Sequence, residues 1–394
     1  MSEKLVSLRK ICLNLNTLTF ASTQILLFTL FPVLSEKLHL SLSTIVACFS
    51  LGTILFLWGS PFWSNQSDKI GKQAVMSFGL LGLGLSFSLI VLLLHFPKLF
   101  AGSLALMILL LSRIIYGGTA SGIIPIAQMM RADMAKKGEH MKSMFSHSLS
   151  LSLGRTLGPL LLLMSVGKIE TLLFVLSVWS FILLALNLFL SSKEEIKPTF
   201  KEEVSAKNEW KESVTQIFWP LLITILFTMY TGILHSSLGG TLQKTFSLTS
   251  LDASTLMAKV LLTGSLVMTF VQITGRFLVK SSWRKTLLIG IAFLLAGATL
   301  LARLSNYYEV WGAITLISIG IALIGPGNMT ILHENGSDKN LGKRVGLLSS
   351  GNIIGYALGG SVTTLFMNSI NQFAVIIVVA LLLVILKTCR TEKV

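Results

Sequence analysis

The chain has 394 residues, 53% of them hydrophobic and 12% charged, with a mean hydropathy of +0.77. That leaves too little polar surface to cover a water-soluble globule and assigns the chain to a bilayer. A formal charge of +15 without a continuous basic and aromatic stripe gives no nucleic-acid footprint. The scattered Cys12, Cys48 and Cys389 point to neither a disulfide framework nor a zinc site.

Apolar runs of about 20 residues, each able to cross roughly 30 Å of hydrocarbon as a helix, recur from Ile11 almost to the C-terminus. No alternation of the kind a barrel needs is present, so the spans are helical. The pattern predicts twelve, at 11–34, 43–63, 73–95, 103–128, 143–166, 171–191, 214–236, 254–279, 286–304, 310–332, 345–368 and 371–388. Although the first follows Lys4, Arg9 and Lys10, it is longer than a signal-peptide core and lacks a small-x-small cleavage site, so it is expected to be retained. Pro125 and Pro326 lie near the cytoplasmic ends of spans 4 and 10, and very few residues separate spans 11 and 12.

Between spans 6 and 7 the hydropathy breaks over Ser191 to Ser213, where Lys and Glu intermix as in a solvated cytoplasmic linker. The expected organisation is an N-terminal six-helix half (1–190), a charged linker (191–213) and a C-terminal six-helix half (214–394). Internal similarity supports a duplication. Gly118, Gly122 and Pro125 in span 4 have counterparts in Gly320, Gly325 and Pro326 of span 10, and Gly154/Gly158 of span 5 in Gly351/Gly355 of span 11. Two such halves around a midplane binding region are an established transporter plan. With the N-terminus inside, 23 of the 32 basic residues fall in cytoplasmic segments, which predicts both termini inside.

The segment after span 2 reads Ser64-Asn-Gln-Ser-Asp68-Lys-Ile-Gly71-Lys72-Gln73. It resembles the cytoplasmic loop motif of the major facilitator superfamily, with Ser64 in place of the usual first Gly and Gln73 in place of a second basic residue. Span 5 carries Gly154-Arg155-Thr156-Leu157-Gly158-Pro159, similar to the Gly-x3-Gly-Pro element of that family's antiporters and exporters. Arg113 followed by Gly117 in span 4 is similar to its Arg-x3-Gly pattern. The resemblance implies an all-α membrane protein of twelve helices in two pseudo-symmetric six-helix halves, of the drug or siderophore efflux type. It implies no enzyme activity and no cofactor. By the same resemblance Asp68, Gly71, Lys72, Gly154, Gly158 and Pro159 are gating residues.

Arg113 and Arg155 lie near the middle of apolar segments, whereas every Asp and Glu falls at a segment end, in a loop or in a tail. An ionised side chain at mid-bilayer costs several kcal/mol unless it meets water, a partner or a ligand. Arg113, Gly117, Ser121, Pro125 and Gln128 share one helical stripe, as do Ser148, Ser152, Arg155 and Pro159, and both stripes are expected to face the binding region. Gln24, Tyr230, His235, Lys259, Asn352 and Tyr356 join the two arginines as candidate substrate contacts. The guanidinium fork suits carboxylate or phosphate, so the expected partner is a small anion such as a carboxylate siderophore, exported by a monomer in the bacterial inner membrane.

Family antiporters commonly use a membrane-embedded carboxylate as the proton site, and none can be placed here, although His147 or His235 could titrate. An anion leaving a cell with a negative interior gains about 2.3 kcal/mol per charge per 100 mV. Uptake of an anionic metabolite and broad drug/proton antiport are the alternative transport readings. A polytopic membrane enzyme finds no support in any Gly-x-Ser-x-Gly, His-Glu-x2-His or phosphate-loop motif.

Overall fold

The computed structural model describes residues 3–97, 99–100, 102–134, 140–191, 217–278, 283–334 and 341–391, and within them every regular element is a helix. Most of the expected linker lies outside these residues. The chain forms two compact units, Met1–Lys201 and Glu202–Val394. In the first, α1 runs over Glu3–Thr29 and on through Phe31–Lys37, α2 over Leu42–Ile54 and Phe56–Ile70, and α3 over Lys72–His95. Helix α4 covers Ser103–Thr119 and, past a 3-10 turn at Ala120–Gly122, Ile123–Asp133; α5 is His140–Met164 and α6 Ile169–Ser191. The second unit holds α7 (Phe218–Thr245), α8 (Ser250–Leu278), α9 (Trp283–Ala302), α10 (Tyr307–Glu334), α11 (Leu341–Leu365) and α12 (Ile370–Thr391). Each expected span corresponds to one of these helices, and ten stretches among the described residues are long and apolar enough to cross a membrane.

Proline chemistry accounts for the interruption in α4. Pro125 has no N–H to offer the Ser121 carbonyl one turn earlier, and that carbonyl instead accepts the Ser60 hydroxyl of α2 at 2.9 Å. The nearby Gly118 carbonyl accepts the Trp63 indole N–H at 2.5 Å. Two α2 side chains thus take up carbonyls at the break in α4, in the way membrane helices tolerate broken ladders.

Both units are built on the same pairings. Helix α1 packs on α5 as α7 packs on α11, α3 on α4 as α9 on α10, and α3 on α6 as α9 on α12. Small residues set the first of these. A Cβ on Gly154 or Gly158 would lie 2.4 Å from the Leu18 carbonyl or 2.5 Å from that of Ser22, both on α1. In the second unit a Cβ on Gly355 would lie 2.3 Å from the Ile225 carbonyl, and one on Gly359 2.3 Å from that of Met229, both on α7. Lipid tails are as apolar as Leu, so close backbone approach and dispersion hold such pairs together. Polar side chains add specific bonds: Asn187 of α6 donates to the Gln73 carbonyl and Ser77 hydroxyl of α3, and Asn328 of α10 to the Pro220 carbonyl and Thr224 hydroxyl of α7.

Candidate functional site

Arg113 sits on α4 with only 1% of its surface exposed. Its Nη2 donates to the Ser86 hydroxyl of α3 and, at 2.8 Å, to Ser112, and Nε reaches Ser112 at 3.3 Å. The Phe49 ring of α2 lies 4.4 Å from the guanidinium carbon and the Tyr116 ring 5.1 Å from it. Hydroxyl oxygens and π faces both attract a cation, so the charge is accommodated inside the first unit without a carboxylate. Along the same stripe Gly117 and Ser121 are buried, while Pro125 and Gln128 are half-buried. Gly117 presses on α2, where a Cβ would lie 2.4 Å from the Gly52 carbonyl, and Ser121 is buried at the break. Arg113 is thereby a bolt between α2, α3 and α4.

Arg155 is placed quite differently. It lies on α5 between Gly154 and Gly158, whose face is buried on α1, and its own side chain is exposed. Among the described residues it has no hydrogen bond, ion pair or ring contact. Pro159 one turn later is buried, Ser152 is half-buried, and the side chains of His147 and Ser148 lie outside the described residues. Gln24 on α1 is half-buried.

The segment expected as a loop after span 2 is helical through Ile70. Polar residues do not stop a helix that has left the hydrocarbon; the stop is Gly71, at φ +90°, a conformation that a Cβ disfavours. Lys72 opens α3 and pairs with Asp133 at the end of α4. Asp68 is exposed and has no bonded partner among the described residues. Asp133, 61 positions from Lys72, was not apparent in the sequence, because no spacing rule links two different helices.

In the second unit His235 of α7 shares a hydrogen bond with the Tyr356 hydroxyl of α11, their ring centroids 5.9 Å apart. Both are half-buried, and Asn352, one turn before Tyr356, is exposed. Gly232 allows the contact, since a Cβ there would lie 2.7 Å from the Tyr356 carbonyl. Tyr230 does not join this pair. Five residues from His235, it points about 140° away around the helix and is buried toward α9 and α12. Lys259 on α8 is exposed. The arrangement offers an exposed cation on α5 and a hydrogen-bonded imidazole and phenol joining α7 to α11.

The family model described as Major Facilitator Superfamily matches residues 13–335 and 273–389. No curated protein matches the sequence significantly. Among solved structures, a bacterial homologue of the human lysosomal transporter Spinster, inward-facing and unoccupied, superposes with a TM-score of 0.71 at 14% identity, over 94% of this chain and 84% of that one. The nucleoside transporter NupG superposes with a TM-score of 0.70 at 14% identity over 99% of both chains, and a substituted form of it with 0.75 at 12% over 98% and 100%. At these identities the likeness is one of fold.

Proposed function

The chain belongs to the major facilitator superfamily, and we propose that it is a secondary active transporter that exports a small organic anion, with Arg155 as the principal substrate contact. The fold is shared with solved transporters, a Spinster homologue and NupG, which supports a transport role. The observation that carries the anion is the contrast between two arginines that both fall near the middle of apolar segments. Arg113 donates through Nη2 and Nε to the Ser86 and Ser112 hydroxyls and lies against the Phe49 and Tyr116 rings, whereas the exposed Arg155 is unpartnered among the described residues. A guanidinium left in that state recovers most by meeting a carboxylate or phosphate, which it binds through two parallel hydrogen bonds. A carboxylate siderophore or related metabolite fits that chemistry.

Direction follows from charge. With the basic residues marking a cytoplasmic N-terminus in a bacterial inner membrane, outward movement of an anion gains about 2.3 kcal/mol per charge per 100 mV. Export by alternating access then needs no carboxylate relay. In this reading Gly154, Gly158 and Pro159 set how α5 leans on α1 as the cycle proceeds, while Asp68, Gly71 and Lys72 act at the cytoplasmic gate.

The test is thermal stabilisation of the purified protein by a panel of di- and tricarboxylates, on wild type, Arg155→Lys and Arg155→Ala. The expected result is a shift in wild type, a smaller one in Arg155→Lys, where the charge stays but the fork is lost, and none in Arg155→Ala. Equal shifts in all three remove Arg155 from the site. Accumulation of the stabilising anion in inverted vesicles, driven by an imposed potential, tests the direction; uptake that opposes the potential reverses it.

A further inference from the structure

Behind α7, on the side away from His235, the second unit holds a small cavity between α7, α9 and α12. Its room for a guest is about 10 Å³, near the roughly 10–15 Å³ that a single water requires. Leu234, Ala298 and Leu301 form apolar wall, and three polar side chains, Tyr230, Ser237 and Asn371, complete the lining. Tyr230 is 1% exposed, and its hydroxyl has no hydrogen-bond partner among the described residues. The Ser237 hydroxyl donates to the Ile233 carbonyl at 2.8 Å, which leaves its oxygen able to accept. The Asn371 carbonyl oxygen is the acceptor for Thr241 at 3.5 Å, and among the described residues no hydrogen bond engages its amide nitrogen.

We propose that this cavity is a hydration site, in which one ordered water accepts hydrogen bonds from the Tyr230 hydroxyl and the Asn371 amide N–H and donates one to the Ser237 oxygen, tying α7 to α12 beside α9. A buried hydroxyl without a partner pays its full desolvation cost, and the bilayer offers it no other donor or acceptor. A purely apolar cavity of this size would stay dry, but two to four polar partners are what a buried water needs, and this one has three. The site explains why Tyr230 turns from the His235 pair. Its hydroxyl serves the interior of the helix bundle rather than a transported ligand. The inference is independent of the anion-export reading.

The experiment is a double-mutant cycle in melting temperature between Tyr230→Phe and Ser237→Ala on the full-length protein. Neither side chain bonds the other, so a shared guest predicts a coupling of defined sign, in which each substitution weakens the effect of the other, whereas relaxation of a shared empty cavity carries no stabilising hydroxyl to lose. The bridging water predicts that Tyr230→Phe lowers the melting temperature by about 2–4 °C, and that most of this loss disappears in the Ser237→Ala background. If the hydroxyl is a true orphan, Tyr230→Phe raises the melting temperature instead, because a buried unsatisfied group has been removed. A rise, or strictly additive effects, overturns the proposal. Asn371→Leu gives a second arm, with the same non-additivity with Tyr230→Phe expected if the water is shared and additivity if it is not.

Discussion

The close backbone approach of α5 on α1 gives the sharpest quantitative expectation. In Gly158→Ala the new methyl would lie 2.5 Å from the Ser22 carbonyl oxygen, 3.1 Å from the Leu26 nitrogen and 3.3 Å from the Ser22 carbonyl carbon, all backbone atoms that cannot rotate aside. Ordinary contact begins near 3.4 Å, so the two helices must separate by about 0.9 Å at that point. Overpacking of this kind costs about 1–3 kcal/mol. In a unit of 201 residues each kcal/mol corresponds to about 2–4 °C in melting temperature. Gly118→Ala is the matched control. It is also helical, but its Cβ meets nothing within 4 Å, and exchanging Gly for Ala in a helix gains up to about 1 kcal/mol. The assay is intrinsic-fluorescence melting of the detergent-solubilised protein. Gly158→Ala should melt several degrees below wild type and Gly118→Ala at or above it. Equal melting of the two variants would show that the small residues of α5 do not fix its distance from α1. Gly154→Ala added to Gly158→Ala should cost less than it does alone, because one separation serves both methyls.

Three further outcomes follow from the same geometry. Ser86→Ala strips a hydroxyl from the buried Arg113 guanidinium and should destabilise by about 1.5–3 kcal/mol, read as a lower melting temperature; an unchanged value would mean that Ser112 and the rings suffice. Asp133→Asn, by contrast, removes a pair whose acid is 58% exposed, so it should cost under about 1 kcal/mol, and a loss of several degrees would show a larger structural role for the Lys72 pair. Asn328→Leu leaves the Pro220 carbonyl and Thr224 hydroxyl without their α10 donor and should lower the melting temperature by a few degrees, reflecting about 1–3 kcal/mol; no change would indicate that water replaces the amide.

Span number and bilayer placement were written in the one-dimensional pattern. Hydrocarbon thickness fixes helix length, and the lack of water fixes helix as the only open-ended way to satisfy the backbone. The recurrence of Gly-x3-Gly at Gly154/Gly158 and Gly351/Gly355 marked the two pairings that the units share, α1 with α5 and α7 with α11. Helix ends were less readable: polar residues 64–70 looked like a loop, yet α2 runs on to Gly71 because only a positive φ breaks it.

What the tertiary structure alone decided is which polar groups within the spans are already satisfied. Arg113 and Arg155 are alike in residue type and both fall near the middle of apolar segments, and helical stripes made both candidates for substrate contact. Their difference lies in partners contributed by other helices. Ser86 stands 27 positions from Arg113 and Phe49 lies on α2, whereas Arg155 flanks the α1-facing seam of α5 and meets no such partner among the described residues. Tyr230 was likewise grouped with His235 by neighbourhood in sequence, and the helical turn of about 100° per residue sent its hydroxyl to the opposite side. Periodicity tells which residues share a face, but the face acquires meaning only when a second helix is laid against it.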